Sequence, residues 1–190
     1  MEKVKAESLS GIIPGKREGS YNETIKDWRG RLVMAIDSSH IVLTRDTTLQ
    51  EYYGATGHAL SAATARMPLL YDVESDIIVD AKIEPLAASG RSLAKERLEA
   101  LDGMGLDFGE RKPTIIFERG HPSKNFIKYF QYKEIECIIQ VRKKFNTCID
   151  NMRGGSEVVK LTEGMKTWAI VFRLKSGERE ALITNAEEGG

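Results

Sequence analysis

The stretch Arg31-Leu32-Val33-Met34-Ala35-Ile36-Asp37 decides the fold class, because five consecutive apolar residues end on an acid. An apolar run this short, followed by polar residues, is typical of a buried strand. We predict a strand at 32–37, a turn at 38–40 and a returning strand at 41–44. The remaining segments must then supply the other strands of the sheet and the helices that cover it.

Farther along the chain, the spacing of apolar residues changes between that of strands and that of helices. Residues 45–63 have no such pattern and are predicted to form a loop. The predicted elements are a hairpin of strands at 67–72 and 77–83, a helix near 90–101 begun by Ser89 or Ser92, a strand at 114–117, a helix near 123–132 capped by Ser123, and a strand at 135–141. The order of three antiparallel strands, then helix, strand, helix and strand is that of an α/β, RNase H-like mixed sheet.

The last third of the chain changes character. Short apolar segments at 158–161, 168–174 and 181–184 predict a small β meander, with Trp168 in its core. We therefore divide the chain into a loosely ordered N-terminal segment at 1–30, an RNase H-like core at 31–145 and a C-terminal β meander region at 146–190.

The composition excludes several classes of protein. No apolar run approaches the ~20 residues that cross a bilayer, and the N-terminus lacks the apolar stretch of a secretory signal. Cys137 and Cys148 are too few for a disulfide framework, and Cys137 is expected to be buried. Asp72, Asp76 and Asp80 are expected on the solvent side or in the turn of the hairpin. A cytoplasmic protein without membrane contact is the expectation.

Two acids stand out by position. Asp37 follows five apolar residues and Glu118 follows four, so each is predicted at the C-terminal end of a buried strand. Carboxylates there need a cation, hydrogen bonds or solvent. Oxygen ligands from neighbouring strands suit Mg²⁺ or Mn²⁺. The alternative is that both strands end on a polar residue at the surface.

The formal net charge is zero, but the residues from Arg119 to Lys144 carry a net charge of +5. One interpretation is a solvated helix face followed by a charged strand end. The other is a row of side chains that contact nucleic-acid phosphates. The sequence leaves both open.

Five segments, which follow one another along this chain in the same order as in the family, resemble DDE transposases of bacterial insertion sequences. The segment Arg31–Ser39 resembles the one that carries the family's first aspartate, and Ile115–Ser123 resembles the one around the second. The other three are Tyr52–Gly54 together with Ala65–Val73, Cys137–Lys144, and Glu180–Asn185. The resemblance covers residues 31 to 185, nearly the whole chain.

The resemblance implies a metal-dependent enzyme that cleaves DNA at transposon ends and joins it to target DNA. In that scheme Asp37 and Glu118 hold Mg²⁺ or Mn²⁺. The residues implied to contact DNA phosphates are Arg119, Lys124, Arg142, Lys143 and Lys144. DNA would be the partner, in the bacterial nucleoid, together with a second copy of the chain or a full-length transposase.

The sequence also departs from the family pattern. Ser38, Glu118 and His121 stand where glycine, aspartate and tyrosine are usual. The family's third acid, a glutamate on a later helix, is expected beyond the last residue of this chain. We therefore expect a truncated transposase fragment without strand-transfer activity. The alternatives are a non-catalytic remnant that binds DNA or pairs with a transposase, and an unrelated soluble α+β domain.

Overall fold

The computed structural model describes residues 25–57, 61–103, 112–120 and 122–186. Most of the predicted segment 1–30 therefore lies outside the described residues. The strands are β1 (Arg31–Val42), β2 (Thr64–Asp72), β3 (Ile77–Ala81), β4 (Glu84–Pro85), β5 (Lys112–Phe117), β6 (Glu136–Gln140), β7 (Gly155–Thr162), β8 (Met165–Arg173) and β9 (Arg179–Thr184). The helices are α1 (Thr47–Tyr53), α2 (Gly90–Gly103), α3 (Lys124–Lys133) and α4 (Thr147–Asn151). Within these ranges, no helix has the length and apolar character needed to cross a membrane.

The described residues form two compact units. The first unit contains 25–27, 35–57 and 61–103, and the second contains 28–34, 112–120 and 122–186. Strand β1 contributes to both. The strand order is β3-β2-β1 in the first unit and β1-β5-β6-β9-β8-β7 in the second.

Strand β1 corrects the first prediction, because it continues without a turn from Arg31 to Val42. Residues 38–40 include no glycine, proline or asparagine that would favour a tight turn. Leu32, Met34 and Ile36 are buried, and the strand becomes exposed after them. Asp37 therefore lies at the end of the buried half of a long strand, not at the end of the strand itself.

The first unit contains the predicted hairpin. Strands β2 and β3 pair antiparallel, with Asp72 opposite Ile77. Two further elements were not predicted. Strand β4 pairs with β2, and α1 occupies part of the predicted loop at 45–63. The Asp46 side chain caps α1 by accepting from the Leu49 N–H at 2.9 Å, which stabilises a helix that buries none of its residues.

Two of the three hairpin aspartates are a second correction, since Asp72 and Asp80 are buried, whereas Asp76 is exposed in the turn as expected. The alternation expected of a half-exposed strand fails in β3, where Val79, Asp80 and Ala81 are all buried. Both faces of the strand are therefore covered at this point. Asp80 accepts from Arg97 of α2 at 2.5 Å, so its charge is balanced inside the unit.

The second unit has a mixed sheet, as predicted. Strands β5 and β6 run parallel, and β6, β9, β8 and β7 follow in antiparallel pairs. Helix α3 connects β5 to β6 and buries Phe126, Ile127 and Phe130. The ring of Phe117 in β5 lies 5.0 Å from those of Phe126 and Phe130, measured between centroids.

The predicted β meander is present as β7, β8 and β9, but its buried face was assigned wrongly. Thr167, Ala169 and Val171 are buried, while Trp168 is half-buried. The register explains the difference. Ala169 pairs with Ile183, which pairs with Ile139, and all three are buried on one face of the sheet. The helix α4, capped by Asn146, was not predicted within this region.

Candidate nucleic-acid interface

Glu118 directly follows the buried strand β5, as predicted, and is exposed. Its side chain lies against Gly120, two residues later in the chain. A Cβ atom placed on Gly120 would lie 2.7 Å from Glu118 Oε1. Gly120 therefore provides the space in which the carboxylate rests.

Asp37 is also exposed, and its Oδ1 accepts from the Ser38 N–H at 2.6 Å. Both carboxylates offer the hard oxygen ligands that Mg²⁺ and Mn²⁺ prefer. Asp37 belongs to the first unit and Glu118 to the second, so a metal shared between them stays a prediction. Among the described residues, no group of three or more His, Cys, Asp or Glu is placed to hold a metal ion.

Arg119, the residue after Glu118, contacts two carboxylates near the C-terminus, one in β9 and one in the turn before it. Its Nη2 donates to Oε1 of the buried Glu180 and lies 3.6 Å from a carboxylate oxygen of Glu178. Gln140 of β6 donates to the other oxygen of Glu180 at 2.5 Å. Glu180 thus fixes the guanidinium of Arg119 beside the end of β5.

A basic turn follows β6. Val141 donates its N–H to Ala181 of β9, and the turn closes when Phe145 donates to the carbonyl of Arg142. Asp150 of α4 accepts from the backbone N–H of Lys144 at 2.9 Å. The turn exposes three cations, Arg142, Lys143 and Lys144. No ion pair of these three is found with any other described residue.

These elements line an open cleft of about 400 Å³. We call it the basic pocket, and its lining residues are Arg119, Val141, Arg142, Lys143, Asp150, Arg179, Glu180 and Ala181. Four cationic and two anionic side chains give it a net positive charge. Arg179 is held in place because it donates to the carbonyl of Ile149 at 2.5 Å.

Some of the residues that were predicted to contact phosphates line the basic pocket, and others do not. Arg119, Arg142 and Lys143 line it, and Lys144 is in the same turn. Lys124 does not line it and is exposed on α3. Sequence reasoning missed Arg179, because its position depends on the pairing of β9 with β6, about 40 residues apart in the chain.

The fold is similar to that of a solved transposase. A piggyBac transposase, in a cryo-electron microscopy structure of its synaptic complex with hairpin DNA, superposes with a TM-score of 0.55 at 11% sequence identity. The match covers 83% of this chain and 34% of the other, so this chain spans about a third of that transposase. No protein-family model and no curated protein matches. The likeness shows a fold shared with a transposase, and it does not extend to the insertion-sequence family.

Proposed function

We propose that this chain is a transposase-type domain that binds DNA through the basic pocket and the turn Arg142–Lys144. One observation carries the proposal. Arg119 lines the basic pocket and directly follows Glu118 in the chain. Arg119 therefore connects the basic pocket, along the chain, to the residue that the family resemblance implies as a metal ligand. Arg142, Lys143 and Arg179 add the positive charge that attracts a phosphodiester backbone.

The proposal includes Mg²⁺ or Mn²⁺ held by Asp37 and Glu118. When bound, such ions activate an attacking oxygen and stabilise the leaving oxygen of a phosphodiester. The chain's own part is to hold the phosphate with Arg119, Arg142 and Lys143, while Glu180 orients Arg119. In a calorimetric titration with Mn²⁺, E118Q should bind more weakly than the parent. The control E163Q, in the exposed turn between β7 and β8, should bind as the parent does, and equal binding by E118Q would reject this ligand.

Finer aspects of the proposal rest on the sequence motifs. From these motifs we propose that the chain belongs to the bacterial insertion-sequence transposases, which cleave DNA and transfer strands at the ends of the insertion sequence. We also propose that it pairs with a second copy or a full-length transposase and acts in the bacterial nucleoid. The fold likeness supports the transposase part of this set.

DNA binding is tested by fluorescence anisotropy with a labelled duplex at several salt concentrations. The variant R142A/K143A/K144A should flatten the plot of log K against log salt by about two to three units, since each phosphate contact contributes about 0.9. The fold should survive, because all three side chains are exposed.

A matched control removes the same charge elsewhere in the second unit. Lys160, Lys166 and Lys175 are exposed on the meander and do not line the basic pocket. The variant K160A/K166A/K175A should keep the slope of the parent protein. Equal slopes in the two triple variants would contradict a binding site at the basic pocket.

A further inference from the structure

Helix α3 presents a row of side chains that the basic pocket does not use. Its inner residues Phe126, Ile127 and Phe130 are buried against the sheet and fix which side faces outward. On the outer side, Lys124, Lys128 and Tyr132 lie at positions i, i+4 and i+8 and are all exposed. Residues four apart lie one above another on a helix. We call these three residues the outer row.

The outer row carries positive charge that no acidic side chain of the same helix balances. Helix α3 contains three lysines and no acid. No ion pair of Lys124, Lys128 or Lys133 is found with any other residue that the structure describes. Exposed helix faces are usually stabilised by pairs of opposite charge four residues apart. The exposed face of α3 therefore carries positive charge without a carboxylate on the same helix, which is complementary to an anionic partner.

Tyr132 indicates a second chemical property of this partner. Its side chain is 85% exposed, more than any other large hydrophobic residue of the described chain. An exposed aromatic ring next to lysines is the combination with which proteins bind single-stranded nucleic acid. The lysines contact the backbone and the ring stacks on a base. A duplex keeps its bases stacked on each other and offers the ring no free face.

We propose that the outer row binds a DNA strand with unpaired bases, an inference that rests on the proposed DNA-binding function. Lys124 and Lys128 contact successive parts of the backbone, and Tyr132 stacks on an unpaired base. Lys124 and Tyr132 are separated by about 12 Å along the helix axis, at ~1.5 Å per residue. That length matches about three to four nucleotides at the ~3.4 Å spacing of a stacked strand.

The outer row also begins close to the basic pocket in the chain. Lys124 follows Arg119 by five residues, and Ser123 caps α3 by accepting from the Phe126 N–H at 3.1 Å. Helix α3 leads away from the end of β5, where Glu118 and Arg119 lie. A strand that leaves the basic pocket along α3 would thus meet Lys124 first and Tyr132 last.

The test compares two labelled DNAs of the same sequence, one single-stranded and one duplex, by fluorescence anisotropy with the full chain. Y132A should weaken single-strand binding about tenfold, within the range for loss of one stacked base, and weaken duplex binding less than about twofold. Y132F should bind both DNAs as the parent does, since it keeps the ring. K124A/K128A should flatten the single-strand salt slope by about 1.4 units, at ~0.7 per contact.

The matched control is K160A/K175A, two exposed lysines of the second unit that lie outside α3, which should keep the parent's slope. Equal single-strand binding by Y132A and parent, or equal slopes for the two lysine pairs, would overturn the inference. If R142A/K143A/K144A still weakens duplex binding in that case, the proposed function stands and the outer row alone is rejected. If the parent binds neither DNA, both proposals fail. Matching thermal unfolding midpoints for Y132A and parent would show that the fold is kept.

Discussion

Two buried carboxylates, one in each unit, bind an arginine, yet the two ion pairs differ in access to solvent. In the first unit, Asp80 of β3 pairs with Arg97 of α2, whose side chain is 7% exposed. In the second unit, Glu180 of β9 pairs with Arg119, whose side chain is 40% exposed. The first pair is sealed within its unit, whereas the second lies on the wall of the basic pocket.

The difference shows how similar chemistry serves packing in one place and a site in the other. A sealed pair has lost the hydration of both ions, so its geometry must be kept for the unit to stay folded. It joins α2 to β3, and burial keeps its remaining polar atoms, Asp80 Oδ1 and Arg97 Nε, out of reach of a ligand. Arg119 keeps part of its hydration and several free donors. Glu180 can therefore orient it while leaving it accessible to a phosphate.

The largest expected effect is on stability, from breaking the sealed pair. R97M keeps the volume of the side chain but leaves the Asp80 carboxylate buried without its cation. Removal of one partner of a buried pair typically costs about 3–5 kcal/mol. Urea unfolding, followed by circular dichroism, should show this loss. R119M, the matched variant of the open pair, should lose less, about 1–2 kcal/mol, because Gln140 still donates to the Glu180 carboxylate and water reaches it from the basic pocket.

A second variant separates the lost ion pair from lost packing. D80L/R97M replaces both charges by apolar side chains and should recover much of the stability lost in R97M, because no unpaired charge remains. If R97M and R119M instead lose the same amount, the distinction between a sealed and an open pair fails.

Much of the fold follows from local apolar spacing. The hairpin β2–β3, the helices α2 and α3, and the strands β5 and β6 were predicted from it, and the two helices bury a regular row of apolar side chains. Short elements were missed. Helix α1 buries no residue, so it leaves no periodic pattern to detect, although Asp46 is a suitable cap. The turn at residues 38–40 was wrong because polar residues also continue a strand once it leaves the core.

The candidate site was likewise predicted only in part from the sequence. Glu118 was predicted as a site residue because it follows a buried strand, and Arg119 and Arg142–Lys144 were predicted from the net charge of +5 between residues 119 and 144 and from the family resemblance. Arg179 and Glu180 enter the basic pocket through the pairing of β9 with β6, a contact between distant residues that no local pattern encodes. Asp80 was assigned to solvent for the same reason, since its burial depends on α2.

A smaller effect is expected from E180Q in the open pair. The substitution removes one negative charge from the basic pocket while keeping an oxygen that can accept from Arg119. It should lower the free energy of unfolding by about 1 kcal/mol, since Arg119 is partly hydrated. It should also raise affinity for duplex DNA about threefold at low salt, because the phosphate no longer competes with a carboxylate for Arg119.

The control for this prediction is E178Q, which removes the same charge from a second neighbour of Arg119. Glu178 is 59% exposed, and its carboxylate lies 3.6 Å from the guanidinium, so water already screens the contact. E178Q should change DNA affinity less than about 1.5-fold and leave stability unchanged. At high salt the gain of E180Q should shrink, because added ions screen the charges that attract phosphate. Weaker DNA binding by E180Q would mean that Glu180 is needed to orient Arg119, and that orientation outweighs charge in this pocket.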